Sequence, residues 1–217
     1  MDPFVALTAV AATTTDLLVG TAIALLPQRD LIHTAKEVAS LDLVSDGRFQ
    51  FGVGVGWNRE EMRNHGTDPR TRGDKMDEML AALKLIWTNE EAEYHGSHID
   101  FDPIFSWPKP AQRPHPPIYV GGESEAALAR LAAYGDAWLP RKRTPTDKLR
   151  QVRQWLVDQG RENVPFTIFG SDDDPAMFEA YAAVGVERVT IMLETMPESE
   201  TLAALDEFAA SMDTFNH

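Results

Sequence analysis

Regular alternation of apolar strands with amphipathic helices constrains this chain more than any other feature. Strands are expected at residues 16–24, 48–54, 117–121, 136–139, 164–169 and 187–193. Helices are expected at 29–44, 74–87, 124–133, 146–158, 175–184 and 198–212, so each strand is followed by one. Leu31, Ala35, Val38 and Ala39 fall on one helical face, as do Met76, Met79, Leu80, Leu83 and Ile86. The Met76 and Met79 pair is therefore core rather than a cofactor box. A further helix opens the chain. Asp2 suits its N-cap, and Pro3 loses no hydrogen bond at the next position. Six such units predict parallel strands joined by helical crossovers.

No break in composition marks a second domain, so residues 1–217 are expected to form a single α/β domain. One segment departs from the pattern. Residues 88–116 carry Pro103, Pro108, Pro110, Pro114 and Pro116. Such density disfavours helix and predicts a stiff, extended, irregular insertion over one end of the sheet.

Composition narrows the function. The 217 residues are 43% hydrophobic, enough for a substantial core, and carry a net charge of −14. That charge argues against binding nucleic acid or anionic membrane, both of which need a positive field. The absence of cysteine excludes disulfides, thiolate catalysis and Cys-based metal sites. No apolar run approaches the roughly 18 residues that would span a bilayer. Met1-Asp2-Pro3 lacks a basic start, and a soluble cytoplasmic protein is expected.

The most informative stretch runs from Arg48 to Trp57. Side chains alternate along a strand, so Phe49, Phe51, Val53 and Val55 share one face, and Gln50, Gly52, Gly54 and Gly56 share the other. A glycine face in a buried strand gives up packing and usually marks a close approach. Two causes fit: a cofactor at the C-terminal strand end, or bulky neighbours inside a tight barrel. A dinucleotide fingerprint fits less well, because Trp57 interrupts the motif. A second glycine pair, Gly121-Gly122, leads a strand through Glu123 to Ser124 at a helix start. Free N–H groups there suit a phosphate, although Ser124 equally makes a plain helix cap.

Other constellations are weaker. His95 and His98 with Glu93 lack a closing ligand pattern, and no metal site is expected. There is no nucleophile elbow for a serine hydrolase. Arg141-Lys142-Arg143 reads either as a seat for an anionic tail or as locally balanced surface charge. Arg29 either points into the strand-end mouth or pairs with a nearby acid.

The ordered set of motifs resembles the bacterial luciferase-like flavin monooxygenase superfamily, closest to its coenzyme F420-dependent oxidoreductases. The resemblance rests on Leu26-Pro27-Gln28-Arg29-Asp30, Ser45-Asp46-Gly47-Arg48, Gly52 through Trp57, Arg70-Thr71-Arg72-Gly73, Pro117 through Gly122, and Gly135-Asp136-Ala137-Trp138-Leu139-Pro140. It implies a TIM-barrel-like (β/α)8 fold with F420, or alternatively FMN, at the C-terminal mouth. It implies a non-proline cis peptide at Ala22-Ile23 behind the cofactor ring. Its cofactor-binding set falls on Ala22, Ile23, Gly52, Gly54, Gly56, Trp57, Gly121, Gly122, Glu123, Ser124 and Trp138. The implied activity is hydride transfer between reduced F420 and a small organic substrate, or FMN-dependent monooxygenation.

Two departures accompany the resemblance. The family begins about one strand, one helix and a second strand earlier, so an N-terminally truncated fold of about six βα units is expected, or an upstream start. Trp57 also stands where some F420 dehydrogenases carry a catalytic carboxylate, so no catalytic residue is assigned. The open strand edges predict a partner, a second copy forming a homodimer, and the missing first strands leave open a shortened, non-catalytic member acting as a binding or scaffold protein.

Overall fold

The structure, a computed structural model, describes residues 1–172 and 174–215. Asp2 caps the first helix as expected, its carboxylate accepting from the Phe4 and Val5 N–H groups at 2.9 and 3.3 Å. Helix α1 (Pro3–Thr13) leads into a strand that forms in two pieces, β1 (Val19–Gly20) and β2 (Ala24–Leu25). The uninterrupted strand expected over 16–24 is thus broken by a bulge at Thr21, Ala22 and Ile23. Helix α2 (Leu31–Val44) follows, and Asp46 and Gly47, with φ of 52° and 75°, turn the chain into β3 (Phe49–Gly54).

A short helix that the apolar pattern does not reveal, α3 (Arg59–Asn64), precedes α4 (Arg72–Thr88). Its side chains are mostly polar, and Asn58 caps it by accepting from Glu60 and Glu61 N–H. The segment expected to be irregular contains an antiparallel hairpin, β4 (Glu91–His95) and β5 (Asp100–Phe105). Pro103 fits there because the hairpin register shifts between the pairs Ala92–Ile104 and Tyr94–Phe101, which brackets it. The chain continues through β6 (Ile118–Gly121), α5 (Glu125–Tyr134), β7 (Ala137–Leu139), α6 (Thr146–Asp158), β8 (Thr167–Ser171), α7 (Pro175–Ala182), β9 (Arg188–Ile191) and α8 (Glu198–Phe215).

The main strands are parallel and lie side by side in chain order, giving a TIM-barrel-like architecture. Both β1 and β2 pair with β3, β3 with β6, and β6 with β7. Strands β7 and β8 meet through two isolated bridges, Trp138–Phe166 and Arg141–Phe169, and β8 pairs with β9. Among the described residues no ladder joins β9 back to β1 or β2. Across that opening the Arg188 guanidinium donates to the Gln50 side-chain oxygen at 2.9 Å.

The alternation within strands sorts residues into two layers. Phe49, Phe51, Val53, Ile118, Val120 and Trp138 belong to the large core against the helices. Trp87 of α4 meets Phe51 edge-on at 6.0 Å and donates its indole N–H to the Ala35 carbonyl at 3.0 Å. Burying each such ring contributes about 1.5–3 kcal/mol. The opposite, concave face holds only a small cluster, Tyr119, Ala137 and Leu139, with Ile23 and Phe169 packed beside it.

The insertion covers the N-terminal end of the sheet. The Gln112 backbone N–H and side-chain amide donate to the buried Asp42 carboxylate at 2.8 and 2.7 Å, and the amide also reaches the Phe49 carbonyl. Glu78 of α4 accepts from the Ser97, His98 and Ile99 N–H groups and fixes the hairpin turn.

Candidate functional site at the C-terminal strand ends

The site begins with the bulge. Ala22–Ile23 is a cis peptide, at the position the sequence resemblance implied. The bulge presses onto β3. A Cβ on Gly52 would overlap the Thr21 carbonyl oxygen and stand 2.9 Å from its carbon, and one on Gly54 would overlap Cδ1 of Ile23. A Cβ on Gly121 would lie 3.1 Å from Cγ2 of Ile23. The room left by Gly52, Gly54 and Gly121 is therefore filled by protein. Of the two causes open in the sequence, the steric one accounts for the lack of side chains at Gly52, Gly54 and Gly121. The Thr21 hydroxyl completes the lock by donating to the Gly52 carbonyl at 2.7 Å.

Gly56 departs from its expected place. The strand ends at Gly54, and Gly56, with φ of 77°, turns toward Met62 and the Gln28 amide. Trp57 follows and is 87% exposed. Gln28 Nε2 is buried beside Gly56 without a hydrogen-bond partner.

On the far side of the bulge, β6 ends at Gly121, and Gly122, with φ of 108°, needs a conformation that side-chain-bearing residues rarely adopt. Ser124 caps α5, its hydroxyl oxygen accepting from Ala127 N–H at 3.2 Å. The remaining first-turn N–H groups have no intrahelical acceptor. Glu125 in the same turn already brings one negative charge to that helix end.

Glu123 serves the loop. Its carboxylate accepts from Arg141 N–H and from the Thr144 hydroxyl, at 3.0 and 2.8 Å, and pairs with the Arg141 guanidinium at 3.1 Å. Burial pushes this carboxyl up, but the bonds from Arg141 and Thr144 outweigh it and hold the group below the ordinary glutamate value. Trp138 is wholly buried against Phe166, and its indole N–H donates to the Gly122 carbonyl at 2.8 Å. Glu123 and Trp138 therefore brace the loop that carries the Gly122 turn.

The basic run is balanced locally. Lys142 and Arg143 both pair with Asp172, at 3.5 and 2.7 Å. Arg29 lies over the Phe4 ring and pairs with Asp2 and Glu37. His95 is held by Asp100 at 2.7 Å, and among the described residues no group of three ligating side chains could hold a metal.

Beside the bulge, on the concave face, lies a cavity of about 290 Å³. Thr21, Ala22, Gln50, Tyr119, Leu139 and Phe169 are among its walls. Tyr119 and Thr21 went unremarked in the sequence, yet strand alternation alone puts Tyr119 opposite Ile118 and Val120, on this face. The arrangement brings Ala22, Ile23, Gly52, Gly54 and Gly121 together, sets Gly122, Glu123 and Ser124 next to them, and leaves Gly56 and Trp57 to one side.

Comparison with known proteins agrees with this architecture. The sequence profile of the luciferase-like monooxygenase family matches residues 1–165. An uncharacterized protein of Mycobacterium tuberculosis is 34% identical over 217 residues, covering 98% of this chain and 76% of the relative. The FMNH2-dependent dimethylsulfone monooxygenase of Pseudomonas putida is 38% identical over 186 residues, covering 82% of this chain and 45% of that enzyme. Among solved structures, the monooxygenase RslO1 of Streptomyces bottropensis superposes with a TM-score of 0.87 at 18% identity, covering 100% of this chain and 83% of that one. An F420-dependent secondary alcohol dehydrogenase superposes with a TM-score of 0.76 at 14% identity, covering 88% and 78%. The chain belongs to the luciferase-like monooxygenase family, a family of oxidoreductases and monooxygenases.

Proposed function

We propose that this chain is an oxidoreductase that transfers a hydride between reduced coenzyme F420 and a small organic substrate. One observation carries the reading: the Thr21–Ile23 bulge borders a cavity on the concave face, next to the glycine turn that opens α5. The residues fit a phosphate-bearing tricyclic cofactor. Ala22 and the bulge backbone would support the ring, and Ser124 with the first turn of α5 would take the phosphate. When bound, such a cofactor supplies the hydride chemistry itself. The chain orients it: Trp138 and Glu123 hold the Gly122 turn, and Leu139 and Phe169 keep the inner wall apolar.

The second reading is FMN-dependent monooxygenation, which the 38% identity to the Pseudomonas putida enzyme favours. Titration with F420 and with FMN, followed by absorbance and by quenching of cofactor fluorescence, separates the two. Saturable binding of F420 alone supports the first reading, and binding of FMN alone supports the second. Binding of neither overturns both and leaves a non-catalytic scaffold. We also propose a homodimer, supported by exposed Leu17 and Leu18 at the open edge beside β1. A monomeric mass in light scattering at micromolar concentration would overturn it. Among the described residues no helix is long and apolar enough to cross a membrane.

A further inference from the structure

A second cavity, of about 690 Å³, lies in the segment that follows β3 and is walled by α3 and the turn leading into α4. Its lining includes Arg59, Arg63, Arg70 and Arg72, with Asp68 as the single acidic residue. In a chain of net charge −14, four arginines around one hollow is a local reversal of sign. Asp68 is already committed to Arg70, through a pair at 2.7 Å that holds its carboxyl down to about 2.

The other three guanidinium groups are underused. The Arg59 guanidinium makes no ion pair or hydrogen bond among the described residues. Arg63 pairs with Glu60 at 4.0 Å, the outer limit of an ion pair, and adds a lesser attraction to Asp68. Arg72 donates one Nη to the Pro69 carbonyl, but its Nε is buried without a partner. Gly66, on the same wall, has φ of 71° and open space where a side chain would stand. At Gly52 and Gly54 that space is full.

We propose that this pocket binds a phosphate-bearing small molecule through Arg59, Arg63 and Arg72. A guanidinium offers two parallel N–H donors that match a phosphoryl group, and three such groups match a multiply charged anion better than one carboxylate. The concavity suits a small ligand, whereas docking of an acidic protein would need a broader, flatter face. None of these residues belongs to the bulge or to α5, so the pocket stands apart from the proposed cofactor seat.

Calorimetric titration with inorganic pyrophosphate and with inorganic phosphate, at constant ionic strength, tests the site. Pyrophosphate is expected to bind one saturable site, and more tightly than phosphate, because its charge is higher. The double variant R59A/R63A, altered only at exposed positions, should weaken pyrophosphate binding at least about tenfold, and R59K/R63K should recover part of that loss. S124A should leave pyrophosphate binding unchanged. Absence of saturable heat up to about 10 mM pyrophosphate would overturn the proposal. So would binding that R59A/R63A leaves intact, or binding that S124A removes. The proposed cofactor reading is judged separately, by the F420 and FMN titrations.

Discussion

Thr21 and Gly52 are interlocked: the Thr21 hydroxyl donates to the Gly52 carbonyl at 2.7 Å, while the Thr21 carbonyl fills the space of the Cβ that Gly52 lacks. Backbone on one strand has taken the place of a side chain on the next.

The substitution G52A tests that relationship. Its methyl group would meet main chain, which cannot rotate away, so a loss of about 1–3 kcal/mol is expected in urea unfolding. G66A makes the comparison. There the space is open and only the positive φ resists, so about 1 kcal/mol is expected. Equal losses for the two would contradict the steric account of the glycine strand.

Trp138 supports the loop from within the core. In W138F the aromatic packing on Phe166 is largely kept, but the Gly122 carbonyl loses its donor. A destabilisation of about 1–3 kcal/mol is expected from the unmet acceptor. Weaker cofactor binding should accompany it if the Gly122 turn helps seat the phosphate.

Glu123 should make stability depend on pH. Its folded-state carboxyl titrates below the ordinary glutamate value, since its bonds to Arg141 and Thr144 outweigh burial. The contribution is therefore complete above the ordinary value and is lost as pH falls through the lower, folded one. Thermal melts of the wild type and E123Q across the acid range check this. The difference between them should be widest near neutrality and shrink on acidification. A constant difference would show that the carboxylate charge is not what holds the loop.

Much of this fold is legible in the chain because its helices and strands obey simple periods. Phe49, Phe51 and Val53 face the helices as their spacing requires, and Gly135 stands at the end of α5. The hairpin was hidden, since the prolines that seem to exclude regular structure sit in the connections or where its register shifts. The meaning of Gly52 and Gly54 was half visible. Alternation shows that something must come close, but only coordinates show that it is Thr21 and Ile23. The resemblance implies cofactor contacts for Glu123 and Trp138, but no period in the sequence shows that they also brace the Gly122 loop, through bonds to Arg141, Thr144 and the Gly122 carbonyl.

Glu78 offers a separable test of the insertion. Its carboxylate receives three backbone N–H groups, and although burial raises its pKa, those bonds lower it further, so the group titrates below its ordinary value. In E78A, hydrogen exchange at Ser97, His98 and Ile99 is expected to quicken by about tenfold or more, while the amides of β3 and β6 keep their protection. Faster exchange in β3 would mean that the hairpin is an integral part of the main folding unit.

The order of the main strands in space is their order in the chain, and this bears on how the molecule assembles. Each βα unit docks on the one made just before it, so the contacts that build the sheet need only short loops to close. Growth can therefore follow synthesis from the N-terminus. The bond from Arg188 to Gln50 is different in kind, because it joins residues 138 positions apart. Unlike the ladder between β8 and β9, which also needs the last strand, it ties that strand back to β3 near the start of the series.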